Sequence, residues 1–403
     1  MKGMLYKAKG ALALTLAMSL CGTQAFAAQA LSAEEQGVKA APVAPVEEKT
    51  KLTAEEALEK AKRNSPDLRA IQDTLEYLDD TMDDIDRTAG GTVTVPDVQY
   101  KKWVSDGWQK LVSAVYQTEQ GQKQARIGEE MQNMGLEVSV KSYFASIKSN
   151  EQALALTKKN AEIQKRLYEQ GMEKNHLGLL SKYKLDQLQI AAKQAQDRVA
   201  LLEASMEQIY MKLNDLMGEN ADARFEYVYE VTFTPYHMGL SMDQYINAAL
   251  KKDLTIQLKE LAMDSAYFAK NYVGYSNTRA DSNKQELDYD TAKRDYKTAR
   301  TDKAVLIRNT YLQLQQMETQ IASAQSDLTK AEADYRVAQI NLQAGYVTKA
   351  TVEQAEMGVM KAQNDLQSLV YNYDMLVYQF EHPSLLGNTA TKQQKGMGTP
   401  ESD

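Results

Sequence analysis

The sequence predicts an all-α protein of elongated antiparallel coiled-coil hairpins, written twice in one chain. Three observations carry the prediction. The seven prolines of the 403-residue chain stand at 42, 45, 66, 96, 235, 383 and 400, so residues 97–234 and 236–382 contain none. Proline breaks helix interiors, and proline-free runs this long point to long helices. Within these runs apolar residues recur at steps of three and four, and whole blocks recur at a fixed offset. The composition agrees, because 6 Phe and 2 Trp against 23 Tyr and 18 Met leave little material for a large aromatic core. A single Cys excludes a disulfide scaffold.

The elements follow in order. Lys2, Lys7 and Lys9 precede an apolar run at residues 11–20, and Ala25-Phe26-Ala27 offers a small-x-small cleavage site, so residues 1–27 read as a signal peptide. That run is shorter than the roughly 20 residues a membrane span needs. A lipoprotein reading of Cys21 is disfavoured by the bulky Leu20 before it. Removal of three lysines takes the net charge from −8 to −11, and with no basic stripe in the chain nucleic acid is not expected as a partner. Residues 28–51, with Pro42 and Pro45, read as a linker, and 388–403 as a polar, disordered tail.

Between these ends, residues 52–218 and 240–387 are expected to be two helical repeats joined by a strand-bearing linker at 219–239. Leu52-Thr53-Ala54-Glu55-Glu56-Ala57-Leu58 aligns with Leu240-Ser241-Met242-Asp243-Gln244-Tyr245-Ile246 at an offset of 188, each opening a helix with a hydroxyl cap and an acid. From residue 177 onward the register holds without gaps at an offset of 167, to Leu213 and Phe380. The first copy therefore carries about 21 extra residues between positions 80 and 140. Short strands are predicted at 92–95 and 225–233, both β-prone and both ended by a proline nearby.

Heptad seams run through both copies. Leu185, Leu188, Ala192, Ala195, Val199, Leu202, Met206, Ile209, Leu213 and Leu216 form one, and Val352, Ala355, Val359, Ala362, Leu366, Leu369, Tyr373, Leu376 and Phe380 the other. Leu136, Val140, Tyr143 and Ile147, and the series Ile321 to Leu342, continue the rhythm upstream. A 3.5-residue repeat aligns one face for left-handed packing on a partner helix. The turns at Gly178 and Gly345 are short, so neighbouring helices run antiparallel. Helices near 112–172 and 284–343 would reach about 90 Å, and their returning partners about 50 to 60 Å. Gly121, Gly128 and Gly135 recur every seven residues, which suggests a flat seam for close helix packing; the alternative is a weakly helical stretch.

At the glycine turns the residues resemble a known family. The segments 177–189 (LGLLSKYKLDQLQ) and 344–356 (AGYVTKATVEQAE), the opening Leu-Thr-Ala-Glu-Glu-Ala-Leu with Asn64-Ser65-Pro66-Asp67-Leu68, and the endings Leu216-Met217-Gly218 and Leu385-Leu386-Gly387 are similar to the repeated hairpins of TolC-type outer membrane efflux proteins. The resemblance covers about residues 52–387. It implies a trimer whose twelve helices make a periplasmic tunnel below a membrane β-barrel, working with an adaptor and an inner-membrane pump. It places Gly178, Leu179, Ser181 and Asp186 at one adaptor-facing tip. Gly345, Val347, Thr348 and Glu353 fall at the other, with Glu353 where the family usually has aspartate. Ordinary helix capping accounts for the same glycines and hydroxyls.

One departure stands out. Barrel strands of 9 to 11 alternating residues are not found, so the chain looks like the tunnel without its barrel. Its expected location is the periplasm, outer membrane or envelope after export, and its expected function is transport. The alternative is a barrel-less coiled-coil structural or scaffold protein of the cell envelope. The adaptor itself is disfavoured, since no strand-rich lipoyl-like segment occurs. No cofactor and no enzyme activity are expected, because His176, His237 and His382 are isolated and no phosphate-binding loop or nucleophile elbow occurs. The acidic cluster at 79–86 reads first as a solvated helix face and second as a cation-gathering end.

Overall fold

The computed structural model describes residues 50–387. The expected signal peptide, the linker up to residue 49 and the tail 388–403 lie outside the described residues. A strand β1 (Lys51–Thr53) leads into α1 (Ala54–Asn64) and α2 (Pro66–Ala89), followed by β2 (Lys102–Val104), α3 (Asp106–His176) and α4 (Lys182–Met217). After β3 (Glu226–Val228) the order repeats: α5 (Met242–Lys252), α6 (Leu254–Asn271), β4 (Tyr272–Gly274), α7 (Arg279–Gln343) and α8 (Lys349–Glu381), closed by a 3-10 turn at Pro383–Leu385. The fold is all-α, as the proline spacing predicts.

Local chemistry sets the helix starts. Thr53 with Glu56 and Ser241 with Gln244 form reciprocal capping boxes on α1 and α5. The bends after these short helices share one geometry: Ser65 at φ −64°, ψ 115° and Asp253 at φ −68°, ψ 116°. Pro66 holds Ser65 extended. At the second bend, with no proline, the backbone N–H groups of Thr255 and Ile256 donate to Asp253 Oδ1 at 2.9 and 3.0 Å. The long helices start earlier than the seams alone suggest, because Ser105 and Thr278 cap them. Their 71 and 65 residues correspond to roughly 107 and 98 Å at the helical rise. Between the bend and the glycine turn the first half is longer by six residues in the α2 position, nine in the connection that follows and six in α3.

The strand predictions need correction. Residues 92–95 form no strand. Gly90, at φ 71°, turns the chain out of α2, Val93 N–H donates to Asp86 Oδ1 at 3.0 Å, and Pro96 offers no N–H to a ladder. Val93 and Val98 instead enter a core with Val104, Val112, Val115, Phe268 and Tyr272. The strand of that connection is β2, and it pairs in parallel with β4, Trp103 opposite Val273. Within 225–233 only β3 is a strand, in parallel register with β1, Leu52 opposite Tyr227.

The rest of 225–233 stays extended and works as a strap. Tyr227 meets Phe144 at 5.5 Å and stacks on Tyr210 at 5.4 Å. Tyr229 stacks on Tyr371 at 5.5 Å, and Phe233 meets Tyr373 at 5.1 Å. Alternate side chains thereby bind one half of the fold and then the other. Two corresponding cores flank the strap, one around Leu136, Phe144 and Leu213, the other around Ile307, Leu314 and Phe380. In the second, Lys303 Nζ lies 3.2 Å from the fully buried Asp253 and donates to Pro383 O and Leu386 O at 3.0 and 2.8 Å. It fastens the segment after α8 over the α5–α6 bend.

Candidate functional site at the glycine turns and along the helix row

α3 with α4, and α7 with α8, pack as antiparallel hairpins, and α3 also packs on α8. Toward the glycine turns the helices therefore stand in the row α4–α3–α8–α7. Toward the other end the row is α2–α3–α6–α7. The seam residues of α4 and α8 are all buried or half-buried, so they face their neighbours within the chain. Among the other seam residues, Leu342, one residue from the end of α7, is exposed.

A second periodicity lies on the row's two edges, and the sequence reading missed it. On α4, Tyr183, Ile190, Asp197, Ala204 and Met211 are exposed at steps of seven. On α7, Leu312, Thr319, Ser326, Ala333 and Ile340 are exposed at the same step. α4 leaves its glycine turn and α7 enters the other, so position along each helix can be counted from the turns. Tyr183 and Ile340 lie within three residues of the helix ends, and each further step keeps the two series level, up to Met211 and Leu312. The signal was present in the sequence as a second heptad phase on helices that already had an inner seam.

Both turns have the same backbone solution. Gly178 at φ 72° and Gly345 at φ 78° occupy the left-handed region open to glycine. Leu179 N–H donates to Lys174 O and Gly178 N–H to Asn175 O, at 2.8 and 2.9 Å. Tyr346 and Gly345 repeat the pair on Asn341 and Leu342, at 2.8 and 3.0 Å. These are Schellman closures that satisfy the last carbonyls of α3 and α7. The next helices begin differently. Ser181 Oγ accepts from Lys184 N–H at 3.4 Å, but Thr348 makes no capping bond and meets Thr351 Oγ1 at 3.2 Å instead. Leu177 and Leu179 at the first turn are exposed at 71% and 74%, and Tyr346 at the second at 82%, so both turns present large side chains to solvent. Asp186 is exposed, and Val347 is half-buried.

Glu353 is not at the tip surface. Its carboxylate is buried and forms a close ion pair with Arg166 of α3, a residue that no motif singled out. Two turns away along α3, and three residues on along α8, Lys159 reaches Glu356 at 3.2 Å. Ser149 and Ser368 hydroxyls meet at 3.1 Å. Together these ties bind the two hairpins through α3 and α8. The glycine series lies on α3 under α2: a Cβ at Gly121 would stand 3.3 Å from Leu78 Cδ1, and one at Gly128 3.9 Å from Ile71 Cδ1. At Gly135 the carbonyl accepts from Ser139 Oγ at 2.8 Å. The acids of 79–86 are dispersed among separate partners: Asp79 accepts from Gln122, Asp84 pairs with Arg87, and Asp86 takes Val93 N–H.

No protein-family model matches the sequence, and no curated protein matches it significantly. The likeness is in the fold. The outer membrane channel CmeC of Campylobacter jejuni superposes with a TM-score of 0.63 at 13% identity, covering 85% of this chain and 88% of that one. The outer membrane protein VceC of Vibrio cholerae gives 0.57 at 16% identity, covering 83% and 96%. The fold of this chain is that of TolC-type outer membrane channels, as the glycine-turn motifs imply. Among the described residues each of the four strands is three residues long, and no helix is long and apolar enough to cross a membrane.

Proposed function

We propose that the chain is an export component of the cell envelope, in which copies join edge to edge into a closed helical conduit. The observation that carries this reading is the pair of level, exposed heptad stripes on α4 and α7. A row of helices with complementary edges extends head to tail until it closes, and a closed row surrounds a passage. The fold shared with outer membrane channels supports the same reading, and by family resemblance the closed form has three copies. The near-identical bends at Ser65 and Asp253 and turns at Gly178 and Gly345 support an origin of the row by internal duplication. Transport then needs no chemical step in this chain, and its negative charge favours passage of cations over anions.

By the same resemblance the glycine turns are where an adaptor docks, joining the conduit to an inner-membrane pump. Leu179 and Tyr346 are the side chains free to enter a partner's groove. The Arg166–Glu353 and Lys159–Glu356 pairs hold the two hairpins together near that end. The short strands favour one second reading, a coiled-coil spacer of the envelope without a pore, since none reaches barrel length. Solution mass with electron microscopy of the purified chain separates the two. Three copies around a hollow centre support the conduit, and a monomer without rings excludes it. Co-purification with a pump and adaptor supports it further, whereas wall or surface-layer partners support the spacer.

A further inference from the structure

The end of the fold opposite the glycine turns carries a surface that the conduit reading does not use. Here α2 and α6 finish, α3 and α7 begin, and β2 pairs with β4. Both tryptophans of the chain, Trp103 and Trp108, are at this end and well exposed. Tyr100 and Tyr275 stand out beside them, exposed at 83% and 69%. The strand pair fixes this grouping, since Tyr275 N–H donates to Val104 O at 3.0 Å. Large rings left in water at one place, in a chain so poor in tryptophan, are not explained by packing.

Beside Trp103, which forms part of its wall, is an open cavity of about 550 Å³. Its cations are Lys101, Lys270 and Arg279, and its one acid, Glu286, is held by Lys270 at 3.1 Å. Lys101 lies 5.1 Å from the centre of the Trp103 ring and donates to Ser282 Oγ at 3.2 Å. Arg279 has no ion pair among the described residues. The first turn of α7 forms one wall, which adds the positive end of a long helix. Asn271, also in the wall, is 93% buried, and its side chain has no hydrogen-bond partner among the described residues. An amide without a protein partner beside a basic cavity can donate to an acceptor-rich anion. The acids nearby are already engaged: Asp106 accepts Ser276 N–H at 3.0 Å, and Asp281 accepts Thr278 N–H at 2.9 Å.

We propose that this end docks on an anionic phospholipid surface, the cavity taking a headgroup phosphate and the exposed rings entering the headgroup layer. Tryptophan and tyrosine sit at membrane–water interfaces because one part of each ring system is apolar and the other hydrogen-bonds. Nearby lysines and arginines add attraction to anionic lipid. This docking does not depend on the conduit reading, because a single copy carries the whole surface.

The two tryptophans make the chain its own probe. Isolated chain is mixed with vesicles of phosphatidylethanolamine and phosphatidylglycerol at three to one, and separately with phosphatidylcholine vesicles. The expected result is flotation with the anionic vesicles only, a shift of tryptophan emission to shorter wavelength, and quenching by brominated acyl chains. Lys101→Gln with Arg279→Gln should weaken partitioning about 25-fold, near fivefold per cation. Tyr100→Ser with Tyr275→Ser should reduce the binding that remains at high salt, and circular dichroism verifies that both variants fold. Flotation without change in tryptophan emission would mean that another part of the chain binds, which overturns the proposal. So would binding of inorganic phosphate in the cavity without vesicle binding, or equal binding to both vesicle types.

Discussion

Lys303 shows at residue scale how one side chain holds distant segments together. Its ammonium is almost fully buried, faces Asp253, and donates to the carbonyls of Pro383 and Leu386. Removing it leaves a carboxylate in the core whose only remaining donors are those of its own helix start. Breaking one side of a buried pair costs more than the pair itself contributes, because the surviving charge keeps its desolvation penalty. Lys303→Met should therefore lower unfolding free energy by about 3 kcal/mol. Asp253→Asn in the same chain should recover part of that loss, since an asparagine oxygen still accepts from Thr255 and Ile256. Urea midpoints of the single and double variants check this. If the double variant is the less stable of the two, the buried charge is not the cause.

At the scale of the element, the glycines of α3 separate a helix-propensity effect from a packing effect. Alanine gains about 1 kcal/mol over glycine inside a helix where nothing opposes it. At Gly128 the new Cβ meets Ile71 at an ordinary 3.9 Å, so Gly128→Ala should stabilise by about that amount. At Gly121 the 3.3 Å approach of Leu78 offsets much of the gain. At Gly171 a Cβ would fall 2.6 Å from Leu188 Cδ1 with Leu180 and Leu185 at 3.5 Å, and overpacking should win. Thermal midpoints should therefore rank the alanine variants 128, then 121, then 171. A different order sets aside the seam explanation for the first two.

The same helices show what was legible beforehand. Inner seams such as Leu185 to Leu216 declared themselves, because burial on one face imposes a period. The caps at Thr53 and Ser241 declared themselves too, since a hydroxyl before an acid is local chemistry, whereas Ser105 and Thr278 did not and Thr348 makes no capping bond. Gly171 did not, because its neighbour Leu188 comes close only once the hairpin has folded back. Arg166 was hidden for a similar reason, being 187 residues from Glu353 in sequence. The strand at 92–95 failed because β-prone residues satisfied a core instead of a ladder.

The strap at 225–233 adds a pH dependence. Burial pushes the Tyr227 hydroxyl up to about 12 from its ordinary 10.0, with Tyr210 adding to the rise. Burial raises Tyr229 and Tyr373 as well. An unfolded chain releases these protons near pH 10 while the folded chain keeps them, so the unfolded state binds fewer protons above that pH. Their contribution is full below pH 10 and is lost as pH rises toward and through the folded values. The urea midpoint should hold constant up to about pH 9.5 and fall steadily toward pH 11. Tyr227→Phe should make that fall shallower, and an unchanged slope would assign the alkaline loss to other groups.

For the whole molecule, the decisive question is whether the edges of the helix row meet. The stripes on α4 and α7 are level only if one copy's α4 lies antiparallel against the next copy's α7, with both glycine turns at the same end. Ala204 and Thr319 then face each other, each small enough to let the helices approach. In a Cys21→Ser background, Ala204→Cys with Thr319→Cys should form disulfides between copies under mild oxidation. Head-to-tail contacts that close give dimers and trimers on a denaturing gel and end at three, whereas contacts that do not close give a ladder without limit. Ile190→Cys with Thr319→Cys is the control, since those positions are displaced by about 21 Å along the helices and should stay reduced. Equal cross-linking of both pairs would show that the register is not fixed. Absence of cross-links from the matched pair, in chains that fold, would remove the edge contact and the conduit with it.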